Sequence, residues 1–321
     1  MSEPGSCDAL EPRPRTENLH PHTSRDHLTS RDHDPAAWLE LFDAEEGRVS
    51  AALSNAASDI LALARAMARA LGPGSAGRVI SVGAGTSGRL GALDAAEWGP
   101  TFGIDRGRVV ARIAGGPAAL TRAIEGAEDD RAAGVKAIAA LEVGPADLVI
   151  GISASGSAEY VRGALAEAIA QNATVARITA AIPSSLERSP LSGIGEDPTS
   201  IDVVLALGPE LIAGSTRLQA ATATHRVLQR ASVLCAVECG WIYRGRMVEM
   251  RPTNRKLRAR AVRMVAELAA VSEVAASRAL EAAKDDIKVA IVSSALGIEA
   301  EVARDRLTQV DRRLDRVGGL L

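Results

Sequence analysis

Residues Val79–Pro100 read VISVGAGTSGRLGALDAAEWGP. A β-branched run, Val79 to Val82, is followed at once by Gly83, Gly85 and Gly88 in G-x-G-x-x-G spacing, and then by an Ala- and Leu-rich stretch. Strand, glycine turn and helix in that order open a βαβ unit and bring backbone N–H groups to a helix N-terminus, where anions bind. A dinucleotide would also require an acidic residue about twenty positions on, at the end of the second strand, to hold the ribose hydroxyls. Asp105 has that spacing but precedes the strand, which ends in Ala114-Gly115-Gly116 without a carboxylate. The turn reads as holding some other phosphate.

A second loop supports this. The apolar run Asp147–Ile152 leads into SASGS, Ser153 to Ser157, and then into a helical pattern. A third hydroxyl pair, Ser215-Thr216 in AGSTR, precedes the helix starting near Arg217. Hydroxyls and N–H groups at several strand-to-helix turns suit a small phosphorylated ligand gripped from more than one side.

Around these loops, strands are predicted at Arg78–Val82, Val109–Ile113, Asp147–Ile152, Thr174–Ile178 and Asp202–Ala206. Helices are predicted near Leu90–Trp98, Ala118–Ile124, Asp130–Leu141, Ala158–Gln171 and Arg217–Tyr243. Short buried strands alternating with helices imply an α/β fold, a doubly wound and mostly parallel sheet flanked by helices, with ligands at the carboxyl ends of the strands. Ahead of it, an Ala-rich helical pattern runs from Pro35 to the stop Gly72-Pro73-Gly74. After about Arg255 only short helical patterns remain, which predicts a small helical C-terminal domain. The expected division is a polar arm over 1–35, a ligand-binding domain over 36–254 and the helical domain over 255–321.

Composition excludes several classes. Of 321 residues, 47% are hydrophobic and 2% aromatic, and the net charge is -3. Neither a basic footprint nor stacking platforms for nucleic acid are present. The longest apolar stretch, Ala231 to Ile242, is interrupted by Glu238 and Gly240, too short to span a membrane. The polar N-terminus has no signal-peptide pattern, so a cytoplasmic location is expected. Cys235 and Cys239 sit one turn apart in an apolar helix and read as packing, with no second ligand pair for a metal. His20, His22, His27 and His33 fall in the arm, which repeats TSRDH at Thr23–His27 and Thr29–His33 and reads as solvated.

Four stretches, GAGTSGRLGALDAAEWGPTFG (Gly83–Gly103), IEGAEDD (Ile124–Asp130), GISASGSAEYV (Gly151–Val161) and GSTRLQAATAT (Gly214–Thr224), together resemble N-acetylmuramic acid 6-phosphate etherases. Those belong to the sugar isomerase (SIS) superfamily, with the glucokinase regulatory protein as a relative, and the resemblance extends from about Gly74 to the C-terminal helices. It implies a flavodoxin-like SIS fold and a carbon–oxygen lyase of peptidoglycan recycling. The reaction implied is cleavage of the D-lactyl ether of N-acetylmuramic acid 6-phosphate, giving N-acetylglucosamine 6-phosphate and D-lactate by elimination and then hydration. No metal or organic cofactor is implied, and a homodimer is. Glu97 matches the family's general acid and Glu128 its general base. Gly85, Thr86, Ser87, Gly88, Arg89, Ser153, Ser155, Gly156, Ser157, Ser215 and Thr216 fall on the substrate-binding loops.

The chemistry agrees with these residue types. Eliminating lactate needs a base for the proton beside the aldehyde and an acid for the ether oxygen, and two carboxyl groups in different environments supply both. Glu97 follows the first loop and Glu128 the second strand, so both are expected at one rim of the sheet. Trp98 and Ala95 beside Glu97 would favour its protonated form. Arg89, Arg217 and Arg226 are candidate phosphate cations. The chain departs from the family pattern at Ser157 and Ala158, where an arginine and a threonine are usual, at Gln219, where lysine is usual, and at Trp98-Gly99. A sugar-phosphate sensor without catalysis and an aldose–ketose isomerase are the alternative readings.

Overall fold

A computed structural model describes residues 34–180 and 200–320. Of the expected arm, residues 1–33, with the repeat and the four histidines, lie outside the described residues, and Asp34 and Pro35 begin the first helix.

Two helices open the fold, α1 (Pro35–Asn55) and α2 (Ala57–Leu71), where the sequence pattern suggested one continuous run. The break is at Ala56 (φ −87°, ψ 11°), which leaves helical geometry while its N–H still bonds Ala52 O. Then follow β1 (Val79–Gly83), α3 (Gly85–Phe102), β2 (Val109–Ile113), α4 (Arg131–Ala139), β3 (Leu148–Ile152), α5 (Glu159–Ala170), β4 (Thr174–Thr179), β5 (Ile201–Val204) and α6 (Gln219–Glu238). The strands form one parallel sheet in the order β2-β1-β3-β4-β5. The chain leaves β1 to one side for β2 and returns on the other side for β3, so the switch point lies between β1 and β3.

Pleating divides the strand residues between two cores. Val79, Ile150 and Ile178 face α1, α2, α3 and α6 through Leu53, Leu63, Met67, Trp98 and Leu228. Ile80, Val82, Val149 and Val175 face α4 and α5 through Ile138, Tyr160, Val161 and Leu165. Burial on both faces explains why β1 and β3 read as unbroken apolar runs.

Glycines set the closeness of these layers. A Cβ on Gly88 would lie 2.8 Å from Gly83 O and 2.6 Å from Ile113 Cγ1, so α3 is pressed directly onto β1. The third glycine of the opening motif is therefore a packing residue. On the other face, a Cβ on Gly134 of α4 would lie 1.9 Å from Tyr160 O, and one on Gly163 of α5 2.2 Å from Arg131 O.

Two expected helices are shorter than predicted. Ala118–Ile124 is only a 3-10 turn, Pro117–Leu120, because Gly115, Gly116 and Gly126 all hold positive φ. Arg217–Tyr243 is helical over Gln219–Glu238 alone. Gly240 turns the chain into the hairpin β6 (Ile242–Tyr243) and β7 (Arg246–Met247), closed by Arg244 and Gly245 at φ 46° and 72°.

Four helices close the chain: α7 (Arg255–Ala269), α8 (Glu273–Ala282), α9 (Ile287–Leu296) and α10 (Ala300–Gln309). Asn254, Ser272 and Asp286 cap the first three by accepting bonds from the N–H groups of Leu257, Ala275 and Val289. They share a core of Met264, Leu280, Ile291 and Leu307 that also takes in Val248 and Met250. Lys288, 1% exposed, pairs there with Glu249. Among the described residues no helix is long and apolar enough to cross a membrane.

Gly134→Ala is expected to destabilise the protein by about 1–3 kcal/mol, the usual cost of overpacking, despite alanine's better helix propensity. A urea midpoint at or above that of the wild type would show that α4 and α5 do not need this closeness.

Candidate functional site

Because Gly83 pairs in register with Ile152, the turns after β1 and β3 emerge side by side. The first reaches α3 through Ala84 and Gly85 (φ 50°), and the second reaches α5 through Ser153–Ala158. Between them lies a cleft of about 610 Å³, lined by Gly85, Thr86, Ser87, Ser153, Ser155, Ser157 and Thr216 among the expected residues. Glu128 and Asp129 form its lip, on a 3-10 turn (Ala127–Asp129) that Gly126 enters at φ 71°. Asp130, the next residue, caps α4 by accepting from Ala133 N–H at 2.8 Å.

The serine loop is organised by its own hydroxyls. Ser153 Oγ accepts from Gly156 N–H at 3.1 Å, and Gly156 takes φ 72°. Ser155 Oγ and Ser157 Oγ are 2.7 Å apart, and Ser155 Oγ also accepts from Ser157 N–H at 3.2 Å. The lining therefore combines hydroxyls with the N-termini of α3 and α5, whose dipoles favour an anion. Among the described residues the only charged side chains lining it are Glu128 and Asp129.

Several expected residues lie elsewhere. Arg89 turns away from the cleft: its guanidinium donates to the carbonyls of Ala119, Leu120 and Arg122, fixing the turn after β2. Arg226 is absent from the lining and lies 4.0 Å from Glu46 of α1. Gly88 packs under β1, Gly156 shapes the serine loop from behind, and Ser215 is beside the lining rather than in it.

Glu97 is not at the lip with Glu128. It follows Ser87 by ten residues, about 15 Å along the helix axis, and lines a separate groove of about 530 Å³ between α3 and α6. That groove is largely apolar and contains Leu90, Leu93, Leu228 and Val233, with Asp94 and His225. The carboxyl that Trp98 desolvates is Asp94, not Glu97: the Trp98 indole N–H donates to Asp94 Oδ2 at 2.9 Å. Trp98 is itself anchored edge-on against Phe102 and Trp241, with ring centroids 5.6 and 6.5 Å away. Burial pushes the Asp94 carboxyl up to about 6, opposed by the indole bond and assisted by the charge of Glu97. The sequence signal was available in Asp94 and Trp98, one helical turn apart, but only burial distinguishes Asp94 from Glu97.

The third loop differs from the other two. The N-terminus of α6 is already occupied by a carboxylate of the chain: Glu210, 1% exposed, accepts from the N–H groups of Gln219 and Ala220, both at 3.0 Å. Thr216 reaches the cleft, but at the α6 terminus behind it the Gln219 and Ala220 N–H groups are taken by Glu210. Cys235 and Cys239 are buried, as packing requires. Among the described residues no three His, Cys, Asp or Glu side chains gather as a metal site.

Residues 62–169 match the glucokinase regulatory protein N-terminal SIS domain. The chain is 40% identical over 273 residues to the N-acetylmuramic acid 6-phosphate etherase of Pseudoalteromonas atlantica, covering 85% of each chain. It is 38% identical over 307 residues to the protein of the same name from Prochlorococcus marinus, covering 92% of this chain and 94% of the relative. The chain belongs to the N-acetylmuramic acid 6-phosphate etherase family. Among solved structures it is similar to a phosphoheptose isomerase from Francisella tularensis, with TM-score 0.41 and 20% identity over 67% of this chain and 98% of that one. This etherase-family chain places Glu97 and Glu128 in two different depressions of its surface.

Folded Asp94 holds its proton to about pH 6, whereas an unfolded aspartate releases it near its ordinary value of 3.8. The folded state thus binds more protons in that window, and its stability falls as pH rises through it. Asp94→Asn keeps an acceptor for Trp98 and is expected to be more stable than wild type at pH 7.5, by up to about 3 kcal/mol. The advantage should vanish by pH 4; an equal melting-temperature difference at both pH values would refute the assignment.

Proposed function

We propose that this chain is an etherase that cleaves the D-lactyl ether of N-acetylmuramic acid 6-phosphate. The observation that carries the reading is the carboxylate of Glu128 at the lip of a hydroxyl- and N–H-lined cleft, in a chain 40% identical over 273 residues to a protein of that name. The phosphate sits at the N-termini of α3 and α5, against Thr86, Ser87, Ser155 and Ser157, and the open-chain sugar extends toward Glu128.

Glu128 removes the proton beside the aldehyde, and the electron pair expels the lactyl oxygen at the neighbouring carbon, leaving a double bond conjugated to the aldehyde. Glu97 protonates the departing oxygen. Water then adds across the double bond: its hydroxyl goes to the carbon that lost lactate, Glu97 takes its proton, and Glu128 returns a proton beside the aldehyde. Both carboxyl groups end as they began, and the chemistry calls for no metal or organic cofactor. The enzyme works in the cytoplasm, in recycling of cell-wall amino sugars.

Glu97 cannot reach its own chain's cleft from the α3–α6 groove, so the reading includes a homodimer. Leu93 and Val233 line that groove and Val237 follows one turn further along α6; each is 47% exposed and would be covered by a second copy. In such a dimer each cleft would be completed by Glu97 of the partner subunit, and burial at the interface would supply the desolvation that an acid needs.

Purified protein without added metal is expected to release D-lactate from the substrate, and Glu97→Ala and Glu128→Gln to lower turnover at least about 1,000-fold each, within the span of acid–base contributions. Tight binding of the substrate with no lactate released would instead identify a sensor. If Glu97 acts across the dimer, the two inactive variants co-folded as mixed dimers should recover about a quarter of wild-type activity, from statistical pairing of a two-fold assembly. No recovery in verified heterodimers would place Glu97 in its own chain's site.

A further inference from the structure

The third wall of the cleft, Ala213, Gly214 and Thr216, belongs to the segment between β5 and α6. Two buried carboxylates from distant parts of the chain hold this segment. Glu210, just ahead of it, turns back to accept from Gln219 and Ala220 N–H just beyond it, so one side chain closes the loop on itself. Glu45, 4% exposed on α1, accepts from Leu211 N–H at 3.1 Å and from Arg48 at 3.3 Å. The Gln219 side chain, 3% exposed, adds a bond from its amide nitrogen to Pro209 O at 2.6 Å.

Two carboxylates this deeply buried are costly unless their acceptors are used. Here they are used on backbone N–H groups of one loop. Burial and the charge of Glu210 push the Glu45 carboxyl up, against the opposing effect of Arg48 and of Leu211 N–H. A helix N-terminus with a side-chain anion already bound is pre-organised and closed to an external one.

We propose that Glu210 is a positioning residue for phosphosugar binding, holding the Gly214–Thr216 turn in place and excluding the ligand's phosphate from the α6 N-terminus. The inference rests on the phosphosugar reading of the cleft. Glu210 touches no ligand; it acts through Thr216. Because the loop contacts substrate and transition state alike, loosening it should raise KM more than it lowers kcat.

The test uses the full chain, with N-acetylglucosamine 6-phosphate as the calorimetric probe and lactate release as the kinetic one. Glu210→Gln turns one acceptor into an N–H that faces another N–H. It is expected to weaken probe binding at least 10-fold and raise KM similarly, with kcat within 3-fold, and to speed amide exchange across 211–220 but not in the rest of α6. Glu210→Asp should recover part of the affinity. Unchanged affinity or unchanged exchange in a folded Glu210→Gln would overturn the proposal. Should that variant not fold, Glu45→Gln, which loosens Leu211 alone, is expected to weaken the probe about 3-fold, and no effect there would overturn it. A wild type that binds the probe in a Glu210-dependent way yet releases no lactate would refute the etherase reading and leave this one standing. Lactate release with binding indifferent to both variants would do the reverse.

Discussion

The candidate site depends on how closely α4 and α5 lie against each other. Each presents a glycine to the other's backbone, Gly134 under the carbonyl of Tyr160 and Gly163 under that of Arg131, with no room for a methyl group at either point. These contacts fall near the helices' beginnings, and the beginnings carry the chemistry. The turn ahead of α4 bears Glu128 and Asp129, and the turn ahead of α5 bears Ser153, Ser155 and Ser157. A larger residue at either glycine would separate the carboxylates from the hydroxyls by moving whole helices. On the sheet's other face Gly88 against Gly83 does the same for the first loop. Backbone-to-backbone contact is what turns three strand ends into one cleft.

Electrostatics then distinguishes the helix termini. Those of α3 and α5 open into the cleft without a side-chain cap, and hydroxyls surround them. The terminus of α6 is occupied by Glu210, and that of α4 by Asp130. The chain thus satisfies internally the N–H groups that it does not present to a ligand. One fold builds four helix beginnings near one sheet edge, and the placement of two carboxylates decides which of them are left open to an anion.

Much of this was legible in the sequence for local reasons. The glycine turn after Val82, the serine turn after Ile152 and the capping residues of the last helices are decided by neighbours within a few positions. What was not legible depends on distance in space. Arg89 looked like a phosphate cation because it follows the first loop, but carbonyls some thirty residues later claim it. Glu97 was expected at the lip because α3 begins there, yet ten residues of helix carry it away. Asp94 was passed over because a carboxylate's surroundings are set by a three-ring cluster that draws Trp241 from beyond α6. Glu210 gave no local sign at all, since its partners lie nine and ten residues ahead, across an irregular segment.

The cleft's charge balance bears on how it can hold a phosphate. Its described lining has two carboxylates and no cation, so attraction must come from oriented dipoles: amide N–H groups at two helix termini and hydroxyls already aligned by one another. Such dipoles cost little reorganisation and act over a turn or so of helix. In the proposed reading they would fix the phosphate at the N-termini of α3 and α5 and leave the lip, with its two carboxylates, electrostatically unfavourable to it. That gradient would set direction: an elongated sugar phosphate would enter with its phosphate toward α3 and α5 and its other end toward Glu128. In the proposed reading, a lining without cations is thus what orients the ligand.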